Sequence, residues 1–224
     1  MSPALTYTLG RAIYVALTNR CNALTLPVTR GPSFAMPAAS GFAPLPDGFE
    51  PTAEDLVAAV ESRLASSDGG PSSVVFAGLG EPLLRLDVLV ETAGRLHAAH
   101  AGAVALRVST NGLVPRARSK EVARALLAAG VRRASVAIAS SDEAQHRRLL
   151  VPRAAAVTPC LNAAAGTAVD VPGLEEACHF VTAMVAAGIE VECTAVAEPS
   201  VDLAAAEALA VSLGASFRSR SYHP

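Results

Sequence analysis

Residues 103–112 read AVALRVSTNG. The run Ala103–Ser109 is strand-like, and side chains along a strand alternate between its two faces. Arg107, Ser109 and Asn111 therefore share one face, while Val104, Leu106 and Val108 share the other. An open parallel sheet covered by helices on both sides needs apolar side chains on both faces. This strand has only one apolar face. The pattern recurs at 189–196, IEVECTAV, where Glu190, Glu192 and Thr194 oppose Val191, Cys193 and Ala195. Near the end of the sequence, Ser216, Arg218 and Arg220 again share a face. A face that is polar strand after strand suits the interior of an open barrel. Arg107, Glu192 and Arg218 then have two readings: a salt-bridge layer that only supports the fold, or a polar centre acting on an anionic metabolite.

Short apolar runs alternate with longer alanine-rich ones throughout. The expected strands are Ala12–Leu17, Ser73–Ala77, Ala103–Ser109, Arg133–Ala139, Ile189–Val196 and Ser216–Ser221. The expected helices are Thr52–Ala65, Arg85–His100, Ser119–Ala129, Ser141–Leu149, Leu174–Ala187 and Val201–Leu213. Thr52 and Asp55 form a near capping box, and Gly130, Gly188 and Gly214 stand where left-handed helix caps belong. Such alternation implies crossover units and a parallel sheet. The expectation is an α/β fold, a partial (β/α)6 TIM-like barrel spanning residues 1–224 as one domain. Function is expected on the loops after the strands' C-terminal ends.

Composition narrows the partners. With 17% charged residues and a net charge of −2, the chain carries no electrostatic footprint for nucleic acid. No apolar run approaches the roughly 18–20 residues needed to span a membrane, and no secretory signal is visible. Cysteines at 21, 160, 178 and 193 are widely spaced, which suits free thiols in a reducing, cytoplasmic setting. A small-molecule ligand is the expected partner, with neither nucleic acid nor membrane; a protein partner is left open.

Two connections exceed ordinary lengths: a Pro/Gly-rich loop at 27–51 and a second at 151–172. Both begin where strands end, so both are placed to cover a site. In the first, Arg30 beside Gly31-Pro32 suits gripping an anion or carboxylate, while Phe34, Met36 and Phe42 suit packing over the barrel mouth. Gly78-Leu79-Gly80-Glu81-Pro82 follows the second strand, and Ser109-Thr110-Asn111-Gly112 closes the third. Each alone reads either as a tight turn or as a ligand contact. His97, His100 and His179 are expected to be surface or satisfied residues, and His146 with Arg147 and Arg148 to form a solvated helix face.

The order of segments is more specific than any one of them. Thr18-Asn19-Arg20-Cys21-Asn22 follows the first strand, GLGEP the second and STNG the third. With GEPLLRLDVLVETA, SVAIASSDEAQHRRLL and SLGASFRSRSY, this order resembles the radical S-adenosylmethionine (SAM) superfamily. It looks most like the small barrel-only members associated with TatD-type hydrolases. The resemblance implies a barrel of the radical SAM type. It places Gly78, Gly80, Glu81 and Pro82 at the SAM amino group, and Ser109, Thr110 and Asn111 near its methionine and ribose. Ala139 stands where the group commonly has asparagine.

The family holds a [4Fe–4S] cluster with Cys-x3-Cys-x2-Cys after the first strand. Here Cys21 is kept, but the partner positions are Thr25 and Val28. Soft thiolates hold such a cluster; a threonine hydroxyl is a poor substitute and valine is none. Cys160 is the one other thiol expected on that side. The resemblance thus implies a radical SAM-like protein binding SAM or a related metabolite with its cluster motif degraded. The alternatives are an active radical SAM enzyme with unusual ligation, and a non-catalytic barrel scaffold. Whether it is an enzyme, and on what substrate, stays open.

Overall fold

The computed structural model describes residues 3–66, 73–150 and 172–224, apart from the side chains of Leu26 and Pro27. Within them lies one seven-stranded sheet whose spatial order follows the sequence. The strands are β1 Thr6–Leu9, β2 Ala12–Val15, β3 Ser73–Phe76, β4 Ala105–Thr110, β5 Val131–Ala137, β6 Glu190–Val196 and β7 Ser216–Arg220. The helices are α1 Leu26–Thr29, α2 Ala53–Ala65, α3 Leu86–His100, α4 Ser119–Ala128, α5 Glu143–Leu150, α6 Leu174–Ala187 and α7 Leu203–Ser212. Boundaries fall within a residue or two of most sequence expectations, as helix and strand ends usually do.

β2 through β7 run parallel, each paired with the next. That is the expected α/β alternation. β1 adds to the strands that the sequence pattern predicts: it pairs antiparallel with β2, Leu9 opposite Ala12, around the two-residue turn Gly10-Arg11. Gly10 has φ 58°, and a positive φ at the first turn position is what glycine permits in a tight hairpin. The sheet's edges are β1 and β7.

Sequential strand order makes every crossover move the same way, so the helices gather on one face. Ile13, Val15, Val74, Phe76, Leu106, Val108, Val136, Val191 and Cys193 supply that face's strand residues. Against them pack Leu56 and Val60 of α2, Leu89 and Leu96 of α3, Leu126 of α4, and Phe180 and Met184 of α6. Phe76 and Phe180 are fully buried. Cys193 lies in this layer, as its parity predicts, and Cys178 of α6 packs beside it.

Local punctuation follows the sequence closely. Thr52 caps α2 through a reciprocal box: Asp55 N donates to Thr52 Oγ1 at 3.2 Å, and Thr52 N donates to Asp55 Oδ2 at 2.9 Å. Gly130, Gly188 and Gly214 follow their helices with φ of 90°, 93° and 79°. The opposite sheet face carries Tyr14, Arg107, Ser135, Glu192 and Arg218, and the loop at 27–51 runs over it. Phe42 meets Tyr7 edge-on with ring centroids 5.0 Å apart. Asn19 fastens the loop to the end of β2, donating from Nδ2 to Leu45 O at 2.7 Å and accepting from Leu45 N at 3.1 Å.

Candidate functional site

Three strand-end segments meet at the C-terminal rim of the sheet. Glu81 joins two of them. Its Oε1 accepts from Leu83 N at 3.0 Å and from Thr110 Oγ1 at 2.8 Å, and its Oε2 accepts from Asn111 N at 2.8 Å. The side chain is 4% exposed. Glu81 thereby caps the single 3-10 turn Pro82–Arg85 and ties it to the end of β4. Burial pushes its pKa up to about 7, against the lowering effect of its three hydrogen bonds.

Gly80 joins the third segment. Gly80 N donates to Thr18 O at 3.2 Å and Glu81 N donates to Arg20 O at 2.8 Å. A Cβ at Gly80 would collide with both carbonyl oxygens, so glycine here is a packing requirement between two chain segments. Asn111 completes the knot, donating from Nδ2 to Asn22 Oδ1 at 2.7 Å while its Oδ1 accepts from Leu113 N at 2.9 Å. The far end of the loop at 27–51 is fixed by Glu50. Its carboxylate accepts from Thr18 Oγ1 at 3.0 Å and from Arg20 Nε at 2.7 Å, with Arg85 Nε at 3.5 Å. Burial opposes ionisation of Glu50, but the bonds from Thr18 and Arg20 outweigh it and hold the pKa below the usual range.

The sequence-predicted residues are therefore brought together. Gly78, Gly80, Glu81, Ser109, Thr110 and Asn111 line one cavity with Cys21 and Thr25; Pro82 is buried beside it, inside the turn. That cavity measures about 30 Å³. It is an order of magnitude smaller than the usual small-molecule site of roughly 300–1,000 Å³. Glu81's oxygens are already engaged by protein donors. Cys21 sits in a small apolar cluster with Ala23, Leu113, Ala139 and Leu150. Thr25 Oγ1 is buried without a hydrogen-bond partner among the described residues, and Val28 is 62% exposed. Among the described residues no three His, Cys, Asp or Glu side chains converge as a metal site. One thiol, one hydroxyl and a solvent-facing valine do not fit a cubane; Cys160 lies outside the described residues.

Larger spaces lie on the polar face beside this rim. One, of about 510 Å³, is bordered by Leu24, Val28 and Thr29, by Ala137 at the end of β5 and Ala139 beyond it, and by Thr194–Val196 of β6. Arg148, Glu198, Arg220 and Tyr222 add polar groups to its largely apolar wall. A second, of about 320 Å³, touches Tyr7, Tyr14, Val75, Arg107 and Arg218, so it meets β1, β2, β3, β4 and β7. Between the strands the expected ionic layer is present. Glu192 accepts from Arg107 Nη2 at 3.2 Å, Ser135 Oγ at 2.9 Å and Arg218 Nε at 2.9 Å. Burial raises the pKa of Glu192, but its bonds to Arg218 and Ser135 and the two guanidinium charges bring it below the usual value.

Some residues stand elsewhere than the sequence suggests. His146 is not part of a solvated face: it is fully buried, and neither ring nitrogen has a hydrogen-bond partner among the described residues. Burial lowers its pKa to about 4. α5 turns that position inward while Arg147 pairs outward with Glu143 at 2.5 Å. His100 is satisfied, as expected, by Glu61 at 2.8 Å. Tyr7 and Tyr14 stack with ring centroids 5.0 Å apart, a pair that only the antiparallel partnering of β1 with β2 across Gly10-Arg11 brings together. No helix among the described residues is long and apolar enough to cross a membrane.

No family model matches this chain, and no curated protein matches it. Among solved structures, a dihydrodipicolinate synthase from Agrobacterium tumefaciens is 17% identical with TM-score 0.41, covering 69% of this chain and 43% of its own. A protein assigned as a phosphonomutase, from Burkholderia cenocepacia, is 10% identical with TM-score 0.43, covering 75% and 64%. A dipeptide epimerase from Methylococcus capsulatus, complexed with Mg, is 15% identical with TM-score 0.32, covering 92% and 57%. The chain spans between 43% and 64% of their lengths. Likeness this low carries no argument about what the chain does.

The rim's construction makes two measurable claims. Gly80→Ala forces two backbone segments apart and is expected to cost roughly 1–3 kcal/mol in urea unfolding, the usual range for overpacking. A wild-type midpoint would show that the segments separate freely. Glu81 has a folded-state pKa of about 7, above its ordinary 4.5. Its stabilising contribution is thus fully present below about 4.5 and is lost as pH rises through about 7. Glu81→Gln is expected to flatten the thermal midpoint's fall over that interval; an unchanged slope would assign the pH dependence to other groups.

Proposed function

We propose that the chain is a partial (β/α)6 barrel of the radical SAM type that has lost its cluster and binds SAM or a related small metabolite. The observation that carries this reading is the interlocked rim. TNRCN, GLGEP and STNG end three successive parallel strands and are knotted together through Gly80, Glu81 and Asn111. Resemblance to the superfamily expects those segments in that order.

Curvature of the sheet supports the barrel half of the reading. β2 and β7 are five strand spacings apart, about 24 Å across a flat sheet. A pocket of about 320 Å³ touching Tyr14 and Arg218 needs that sheet curled around it. The donor set around Cys21 supports the loss of the cluster. No chemical step is therefore derived through one.

The ligand half rests on the 510 Å³ pocket, whose size falls in the usual range for small-molecule sites. It adjoins the rim cavity through Leu24, Ala137 and Leu150, which line both. Its apolar wall suits a flat ring system, and Arg148 and Glu198 suit a charged tail; SAM and its demethylated product have both.

Binding to the native state raises the thermal midpoint, by the equivalent of about 2.7 kcal/mol at one hundred times Kd. SAM or S-adenosylhomocysteine is expected to raise it saturably, and Ala139→Phe, which fills the pocket, is expected to abolish the rise. No shift with either nucleoside sinks the ligand half. Anaerobic reconstitution with iron and sulfide is expected to leave no cubane EPR signal after reduction. A stoichiometric cluster that disappears in Cys21→Ala would instead support an active enzyme with unusual ligands.

A further inference from the structure

The 320 Å³ pocket on the polar face has a charge composition that the ionic layer does not explain. Four guanidiniums reach it, from Arg30, Arg107, Arg218 and Arg220, and one carboxylate, Glu192, faces them. Glu192 is taken up by Arg107 and Arg218. Arg30 donates from Nε to Ser221 O at 2.7 Å and lies over the Phe34 ring, 4.6 Å from its centroid, and pairs with no carboxylate among the described residues. The Nε of Arg220 is buried and has no hydrogen-bond partner among the described residues. Glu50, the carboxylate of the covering loop nearest the rim, is occupied by Arg20 and Arg85.

Buried guanidiniums normally face carboxylates or phosphates, because removing the charge from water without a partner is costly. A layer that only supported the fold would close on itself, as Glu192, Arg107 and Ser135 do. The buried Nε of Arg220 is left over, and the more exposed Arg30 borders the same pocket. Burial, and then repulsion from Arg218 and Arg30, lower the pKa of Arg220 to about 10. Burial and then Arg218 lower that of Arg30 as well. The other wall is aromatic: Tyr14 stacks on Tyr7, and Phe34 carries Arg30.

We propose that this pocket is a binding site for a small organic acid, whose carboxylate or phosphate group is held by Arg220 and Arg30 and whose apolar body lies against Tyr14 and Phe34. Arginine suits this role because its planar fork meets either oxyanion with two parallel bonds. The free edges of Arg107 and Arg218 complete the positive wall. This site is separate from the nucleoside pocket, although Arg220 borders both, and it stands whether or not that pocket takes SAM.

The test is isothermal titration of the full chain with phenyl phosphate, phthalate, inorganic phosphate and benzyl alcohol at low salt. Phenyl phosphate or phthalate is expected to bind saturably, and neutral benzyl alcohol is not. Whichever of the two is tighter identifies the oxyanion. Arg220→Gln and Arg30→Gln are each expected to weaken binding roughly tenfold or more, the scale of a lost charge-assisted hydrogen bond. Arg95→Gln, on the exposed face of α3, controls for the loss of one positive charge and is expected to change nothing. Arg220→Gln should also raise the ligand-free thermal midpoint, since it removes an uncompensated buried charge. Should that variant fail to fold, Arg30→Gln decides alone. No saturable binding of any anion, or full affinity in both variants, overturns the proposal.

Discussion

One buried carboxylate holds the rim in shape. Glu81 accepts from three donors on two segments, and the residue before it must be glycine for the third segment to lie alongside. The three β-strands that these segments end are neighbours in the sheet, so the knot fixes where each backbone leaves its strand. Had Glu81 pointed into an open pocket, the same residue would read as a ligand contact. Its oxygens instead close a capped turn. The arrangement also explains why a carboxylate with a pKa near 7 does not by itself mark a catalytic acid. Here its shift comes from burial in a structural joint.

The two faces of the sheet divide the remaining work. One buries its side chains beneath α2, α3, α4 and α6, where apolar contact supplies most of the stability. The other collects charge. Its ionic layer is only part-buried, with Arg107 and Glu192 each 29% exposed, so these pairs contribute less than dry ones would and are screened by salt. What distinguishes this face is therefore its geometry. Arg218 is fastened to Glu192, and that bond, together with Arg107 and Ser135, holds four strands' side chains in a fixed array beneath a loop pinned at Asn19 and Glu50.

The sequence made the α/β alternation legible because each signal was local. Thr52 with Asp55 names a helix start, Gly188 names an end, and the parity of 103–109 separates two faces without knowledge of any partner strand. β1 escaped because four residues around a Gly-Arg turn carry little periodicity of their own and gain meaning only from pairing with β2. His146 was misjudged for a related reason. Arg147 and Arg148 beside it suggest solvent, yet a helix turns about 100° per residue, so neighbours in sequence face different ways. GLGEP and STNG end neighbouring strands, and the structure ties them together through Glu81. That they meet around so small a space was not legible, because side-chain hydrogen bonding between loops leaves no trace in spacing.

In the radical SAM lineage proposed above, loss of cluster ligands and survival of the rim would be compatible on physical grounds. In the proposed lineage, cysteine thiolates would once have anchored the loop after β2 to a metal cluster. Here the same loop is held by Thr18 and Arg20 on Glu50, by Asn19 on Leu45, and by the Gly80 and Glu81 amides on its carbonyls. Those bonds are independent of Thr25 and Val28, so replacing cysteine at both positions leaves the loop's start in place. The constraint on residues 25 and 28 is then relaxed, and Val28 faces solvent at the mouth of the larger pocket instead. The arginines experience the opposite pressure. A guanidinium buried without a counter-ion opposes folding, and an exchange for a neutral side chain would relieve it. That Arg220, its Nε buried without a partner among the described residues, and the more exposed Arg30 border one pocket is most simply accounted for by an anion that completes them.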